Sequence, residues 1–514
     1  MKTFPQPPDL DAATSVGMSD GETDIGRLEM RVTPLLAALV LASTAIVAPL
    51  NSTVAGGIQF GPVENQPKRK PQRKPAPPPP TPAEIAPEPA FEDTAPAARP
   101  PARQAAPAAE THTPTQRQSG VMRRVSTKGL PPPPAPRNCK NTGTFSAWMR
   151  DFRKEAEELG ISRRTISDAL DGITLDEGVI RRDRRQGFFS QSFLDFQAKL
   201  ATNNRVQNGR AQIKRNQATF DRVKKEFGVQ ASVITGFWAL ESDFGAGLGN
   251  LPILRSLATL AYDCRRGPMF RDELLAALEI IDRGDMRPHE MVGSWAGEIG
   301  QTQFLPTRYL EHAVDYDDDG KPDLFKNPTD IIGTTANYMS HLGWRRNEPW
   351  LEEVIVPREL PWAEADLSIK HPRSKWAGLG VTRADGSALE NDAMPSSLLL
   401  PMGRFGPAFL AYQNFDVYLQ WNQSLNYAIT AAYLATRIDG APAMRRGRGD
   451  IPTLSQDEAK ELQRRLVDHG HDVGEIDGII GAQTRQAVKT MQIKFNLPAD
   501  SYPTAELLSA LRRR

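Results

Sequence analysis

The chain has 514 residues, with 63 Lys and Arg against 62 Asp and Glu and a formal net charge of +1. That length holds about two to four domains, and the balanced charge gives no electrostatic case for nucleic acid as a partner. The composition is uneven, with 43 Pro, 39 Gly and only 2 Cys, so it has to be read segment by segment.

Residues 1–29 are polar and acidic. MRVTPLLAALVLASTAIVAPLNSTVAGG (residues 30–57) then has a basic start at Arg31, an apolar core over 35–50 and a small-residue exit at Thr53-Val54-Ala55. That is the layout of an export signal. Its core is shorter than the ~20 residues of a spanning helix, which favours cleavage near Ala55. Met30 as the true start and an uncleaved anchor over 30–55 stay open. No Cys stands just after the apolar stretch, which argues against a lipoprotein. Residues 56–137 are rich in Pro, Ala, Arg and Lys, with APPPPTP at 76–82 and PPPPAP at 131–136. Such a segment cannot bury enough apolar surface to offset chain entropy, and it reads as a disordered, polyproline-like linker.

Folded sequence begins near Thr142. Phe145, Trp148, Met149, Phe152, Ala156 and Leu159 recur at helical spacing and Gly160 stops the run; a second helix follows Ser162 with Ile166 and Leu170 inward. One more helix is expected over 211–227 and another over 231–241. The last ends in GFWALESDFGAGLGN (residues 236–250), which sets Glu241 between an apolar, aromatic-rich run and a glycine-rich stop. Apolar surroundings penalise a charged carboxylate, so Glu241 can stay protonated near neutral pH and serve as a general acid. A helix-end Glu that caps or pairs with an Arg is the alternative. Asp243, two residues on, faces away from Glu241 on a helix and suits a structural role. Cys139 and Cys264 are the two cysteines, and in an oxidising compartment a pair is more often bridged than free. A Cys139–Cys264 disulfide is therefore expected, with two small buried thiols as the alternative.

In the Asp-rich loop, Asp315, Asp317, Asp319 and Asp323 fall at positions 1, 3, 5 and 9 of a calcium-loop frame, with Gly320 at position 6 and Lys321 at position 7 offering its backbone carbonyl. Position 12 is Lys326, which breaks the strict pattern; Asp330 could close a slightly longer loop. A solvated acidic turn is the competing reading. EEVIVP (352–357), SSLLLP (396–401) and PAFLAY (407–412) are short β-rich runs separated by turn signals. They read as a small β-bearing insert that walls one side of a groove. After a basic linker at 441–453, Ser455 and Glu458 form a capping box ahead of Ala459, Leu462 and Leu466. DGIIGAQTRQAV (477–488) then gives a turn and a helix with Val488, Met491 and Phe495 inward.

ALESDFG (239–245), LATLAYD (257–263), GSWAGEIGQTQFLPT (293–307), the Asp-rich loop, ANYMSHLGW (336–344) and NFDVYLQWNQSLNYA (414–428) occur in this order. Together they resemble the B-type lytic murein transglycosylases, a family with a lysozyme-like fold, over residues 139–440. Residues 454–511 resemble the peptidoglycan-binding modules of wall enzymes. Asn496 stands there in place of a common Gly, and Ser501 follows Asp500 where Gly is frequent. The resemblance implies a mainly α (α+β) protein: a lysozyme-like helical catalytic domain at 138–440 with a small β-bearing insert, and a small three-helix module at 454–514.

The resemblance also implies roles. Glu241 matches the family's sole catalytic acid. Ser294 and Gln303 match its glycan-contacting Ser and Gln, and Tyr412, Asn414, Trp421, Asn422 and Tyr427 match its late aromatic and amide residues. For Trp421 and Tyr427 ordinary core packing is the alternative. Gln301 joins the candidates because it alternates with small residues where a packing role is less natural. Ile299, where many relatives have Met, is a mild departure. Related calcium loops in the family imply structural Ca2+ at Asp315, Asp317, Asp319, Lys321, Asp323 and Asp330, and no cofactor for catalysis. The implied partners are peptidoglycan glycan strands, with other wall enzymes as further candidates and the membrane met only through an uncleaved N-terminal segment. The implied compartment is the periplasm. Two other readings stay open: a hydrolytic muramidase with Glu298 or Asp243 as second carboxylate, and a wall-binding scaffold without turnover.

Overall fold

The structure, a computed structural model, describes residues 139–184, 192–448, 451 and 453–513. The expected signal segment and the Pro-rich linker lie outside the described residues. Among the described residues no helix is long and apolar enough to cross a membrane.

The helical body opens with α1 (Phe145–Glu158), capped by Thr144, and α2 (Arg163–Leu170), capped by Ser162. α3 (Glu177–Arg184) and α4 (Phe193–Leu200) follow. The single helix expected over 211–227 is instead two, α5 (Asn203–Arg215) and α6 (Gln217–Phe227). They part at Asn216, whose ψ of 29° leaves helical geometry and whose side-chain amide donates to the Gln212 carbonyl. This local competition with the backbone makes Asn a poor interior helix residue. Next come α7 (Ala231–Ser242), β1 (Leu251–Pro252), α8 (Ile253–Tyr262), α9 (Gly267–Asp282), β2 (Val292–Gly293), α10 (Pro306–His312) and α11 (Pro328–His341). β1 and β2 pair antiparallel, with Leu251 opposite Gly293, and so bring the chain after Glu241 beside the GSWAGEIG turn.

The insert consists of β3 (Leu351–Ile355), β4 (His371–Pro372), α12 (Arg373–Gly378), β5 (Thr382–Arg383), β6 (Pro395–Leu399) and β7 (Ala408–Ala411). Its strands form one antiparallel sheet of order β4-β6-β7-β3-β5, over a core that includes Trp362, Trp376, Leu398, Leu410 and Tyr412. α13 (Phe415–Trp421) and α14 (Leu425–Ile438) return the chain to the body.

α7 is buried on every side from Ser232 to Ser242, as expected of a helix with no polar face. It packs on α14, whose facing residues are small. A Cβ built at Gly236 would lie 3.4 Å from the Ala435 Cβ and 3.5 Å from the Ala431 carbonyl. This close approach carries the N-terminal turn of α14 to the C-terminal end of α7. A second core, under α8 and α9, takes in Met149 and Phe152 of α1. There Cys139 is bonded to Cys264, with Cα atoms 5.6 Å apart across 125 residues of sequence. A bridge closing so long a loop typically stabilises by about 2–4 kcal/mol.

The C-terminal module is α15 (Gln456–Asp468), α16 (Ala482–Lys494) and α17 (Ala505–Arg512) around Leu462, Leu466, Val488, Met491 and Leu508. Ser455 and Glu458 make the reciprocal capping box. Asp477, Gly478, Gly481 and Thr484 serve the turn and the start of α16. The two departures from Gly, Asn496 and Ser501, have φ of 52° and 61°, the left-handed region where Gly is favoured. The module is docked on the insert. Lys489 reaches Asp366 at 2.7 Å, Arg404 pairs with Asp500, and Arg485 donates to the carbonyls of Leu400 and Pro401.

Candidate active site

The last turn of α7 presents Glu241, which is fully buried. Two donors meet one of its oxygens: the Tyr427 hydroxyl at 2.5 Å and the Trp421 indole N–H at 2.9 Å both donate to Oε1. The other oxygen, Oε2, is buried with no partner. Burial pushes this carboxyl well above its ordinary value; the Tyr427 and Trp421 bonds oppose the shift and the Glu298 carboxyl adds to it. The negative end of the α7 dipole acts in the same direction as burial. With Oε1 held as an acceptor by two donors, the acidic proton belongs on Oε2, where nothing in the protein competes for it.

The chain leaves α7 through Asp243, Phe244 and Gly245, all with positive φ. Asp243 pairs with Arg205 at 3.3 Å, the structural role expected of it. A side chain at Gly245 would strain its backbone, at φ of 89°, and would push aside the Gln301 amide, 2.7 Å from where a Cβ would be. Trp421 packs on Phe237 with ring centroids 4.3 Å apart, and on Tyr338 and Phe304 at 5.4 and 5.7 Å. That packing aims its N–H at Glu241. Gln303 is 4% exposed and has φ of 53°; its Nε2 donates to the Gly300 carbonyl at 2.8 Å and its buried Oε1 has no partner. Strain of this kind persists where the surroundings hold it, and functional sites collect it. Asn422 ends α13 and accepts from the Ser424 N–H at 2.9 Å.

Four candidates are tied up elsewhere. Ser294 donates to Glu298 at 2.7 Å and accepts from the N–H groups of Ala296 and Glu298, which fills its hydroxyl. Gln301 accepts from the Trp238 indole at 2.7 Å and donates to the Phe325 carbonyl at 2.6 Å, so its amide fastens the loop to α7 and α11's approach. Tyr412 lies in the insert core with its hydroxyl on Glu352. Asn414 is fully buried, and its amide bonds the backbone of Arg345 and Glu348. The sequence shows amides and aromatics in a suggestive order but not which backbone groups will claim them.

In the Asp-rich loop, Asp315, Asp317 and Asp330 each offer a carboxylate oxygen, all within 4.8 Å of one another. Burial, with the charges of Asp317 and Asp315 adding to it, pushes the Asp330 carboxyl up to about 6 against the N–H bonds from Asp323 and Tyr316. Three hard oxygen donors held together by N–H bonds to Asp315 and Asp330 and by the Asn327 amide on Asp317 are of the kind a calcium ion takes. The carboxylates of Asp319 and Asp323 do not join them. Asp323 is turned to the N–H groups of Phe325 and Lys326, and Asp319 accepts from the Lys321 N–H. The Lys321 ammonium, which is not the group expected there, donates to the Asp285 carbonyl. Asp330, fully buried at the start of α11, closes the loop in place of the frame's position 12.

The transglycosylase SLT domain family matches residues 144–436, more than half of the chain. This chain belongs to that family. Its SLT domain is followed by a match to the peptidoglycan binding domain family at residues 455–511. The chain is similar to SltB3 from Pseudomonas aeruginosa, solved in complex with NAG-anhNAM-pentapeptide. The identity is 39% over 72% of this chain and 99% of that one, with a TM-score of 0.67. A second SltB3 structure, with NAG-NAM-pentapeptide, matches equally well. Membrane-bound lytic murein transglycosylase B of Escherichia coli (strain K12) is 29% identical over 248 residues, which span 48% of this chain and 67% of that protein. The helical body of the SLT domain thus has the lysozyme-like SLT fold.

Proposed function

We infer that this protein is a lytic murein transglycosylase, which cleaves the β-1,4 bond between N-acetylmuramic acid and N-acetylglucosamine and leaves 1,6-anhydromuramic acid ends. The observation that carries this is Glu241, a carboxyl that burial pushes well above its ordinary value, with two donors on Oε1 and no protein partner on Oε2. Oε2 gives its proton to the glycosidic oxygen as the bond to C1 breaks. Tyr427 and Trp421 then stabilise the carboxylate that forms, since hydrogen bonds to the charged form favour it. The substrate's N-acetyl group supports the cation at C1. Glu241 takes the proton of the muramoyl C6 hydroxyl as O6 bonds to C1, so one residue serves as acid and then as base and no water is consumed. Gln303 and Asn422 are the amides proposed to meet the sugar.

A hydrolase would need a second carboxylate to place water. Asp243 is paired with Arg205, and Glu298 is itself held neutral, which favours the anhydro product. Glu241→Gln should abolish release of soluble muropeptides from purified sacculi with circular dichroism unchanged; near-wild-type release would remove the assignment. The export signal supports a periplasmic site of action. Asp315, Asp317 and Asp330 are proposed to hold a structural Ca2+ that orders the loop and takes no part in bond cleavage. Calcium should raise the melting temperature, and Asp330→Asn should remove the rise. An equal rise in that variant contradicts the site.

A further inference from the structure

The loop over residues 293–304 buries a second carboxyl group, Glu298, at 1% exposure. A buried carboxylate needs a cation or several donors, and Glu298 has one donor, the Ser294 hydroxyl on Oε2 at 2.7 Å; its Oε1 is buried with no partner. Arg266, the cation on that side, gives its guanidinium to Asp183, and its Nε bonds nothing. Another carboxyl, Glu273 on α9, which accepts from Thr307, raises Glu298 further, and Glu298 in turn raises Glu241 on α7.

Resting on the transglycosylase reading, we propose that Glu298 is a positioning residue of the reaction: a second buried carboxyl that must keep its proton while Glu241 gives its own away. Midway through the reaction Glu241 is a carboxylate. A negative Glu298 beside it would oppose that charge, as when two carboxylates share one site. Neutral Glu298 permits the step, and ionised Glu298 makes Glu241 a weaker acid and slows it. Burial chiefly, opposed by the Ser294 bond, holds the Glu298 carboxyl at about 8. The cleavage rate therefore falls as pH rises through that value.

The test is total glycosidic bond cleavage on sacculi by the full chain, at about pH 6.5 and about pH 9. Glu298→Gln keeps the size and the acceptor for Ser294 but cannot ionise, and it should raise the ratio of the alkaline to the neutral rate by roughly threefold or more. Ser294→Ala, which removes a bond to the charged form, should move the wild-type fall to higher pH. Unchanged ratios in both variants overturn the proposal. Melting curves supply a readout outside activity. A carboxyl raised in the folded state contributes stability that is full below its unfolded value, near 4.5, and lost as pH rises through about 8. Glu298→Gln should flatten that loss, and an unchanged slope also overturns the proposal. Counting all broken bonds keeps this test independent of whether the new ends are anhydro or reducing, which bears on the transglycosylase reading alone.

Discussion

At Glu241 two opposing effects have to be weighed. Burial drives the carboxyl toward its neutral form and is the largest cause; the bonds from Tyr427 and Trp421 pull the other way. The neutral form is therefore favoured at rest, yet the charged form has donors waiting. Tyr427→Phe removes the shorter bond without opening a cavity. It should lower kcat by roughly ten- to a hundredfold, in the manner of a lost donor to a developing anion, with the melting temperature little changed. A fall under about twofold would show that the hydroxyl is only packing. The burial of Glu241 was legible in the sequence, because an apolar run ending in glycines announces a buried helix end. Its donors were not. Tyr427 and Trp421 were expected to face sugar rings or fill the core, and only the fold brings them across about 180 residues of sequence to one oxygen.

At the scale of elements, the site depends on α7 and α14 lying close and antiparallel. Gly236 is five residues before Glu241, and Ala431 and Ala435 stand four and eight after Tyr427, so a gap opened at Gly236 separates acid from donor. Gly236→Ala should be tolerated, because its Cβ would meet Ala435 at an ordinary contact distance. Gly236→Leu should lose about 1–3 kcal/mol of stability by overpacking and should also lose activity on the fraction that stays folded, measured by denaturant melts alongside muropeptide release. Full activity in that fraction would separate the helix contact from the chemistry. Amphipathic spacing made α1, α2 and α15 readable from their apolar residues. The break at Asn216 was not, since it turns on one side chain bonding its own backbone. Nor was the strand order of the insert, which joins β3 to β7 and β7 to β6 through contacts far apart in sequence. In the acidic loop the spacing showed a cluster of carboxylates, but not that Asp315, Asp317 and Asp330 would be the three brought together.

At the scale of the whole molecule, the basic stretch expected to act as a linker is strapped to the body. The Arg445 N–H donates to Glu353, the Met444 N–H to Tyr433, and Arg448 to the carbonyls of Val356 and Arg404. The module beyond it is held by Lys489 on Asp366, a pair with side chains 9% and 18% exposed. Lys489→Glu would set like charges together there and should loosen the module, so that trypsin cuts near Arg445 to Arg448 several-fold faster than in the wild type. An unchanged rate would show that this pair does not hold the module. In the proposed reaction one carboxyl does the work of acid and base and the sugar closes on itself. Mass analysis of the muropeptides released from sacculi tests it most directly. The expected products end in anhydromuramic acid, one water lighter than the hydrolytic species; products with reducing ends would contradict it.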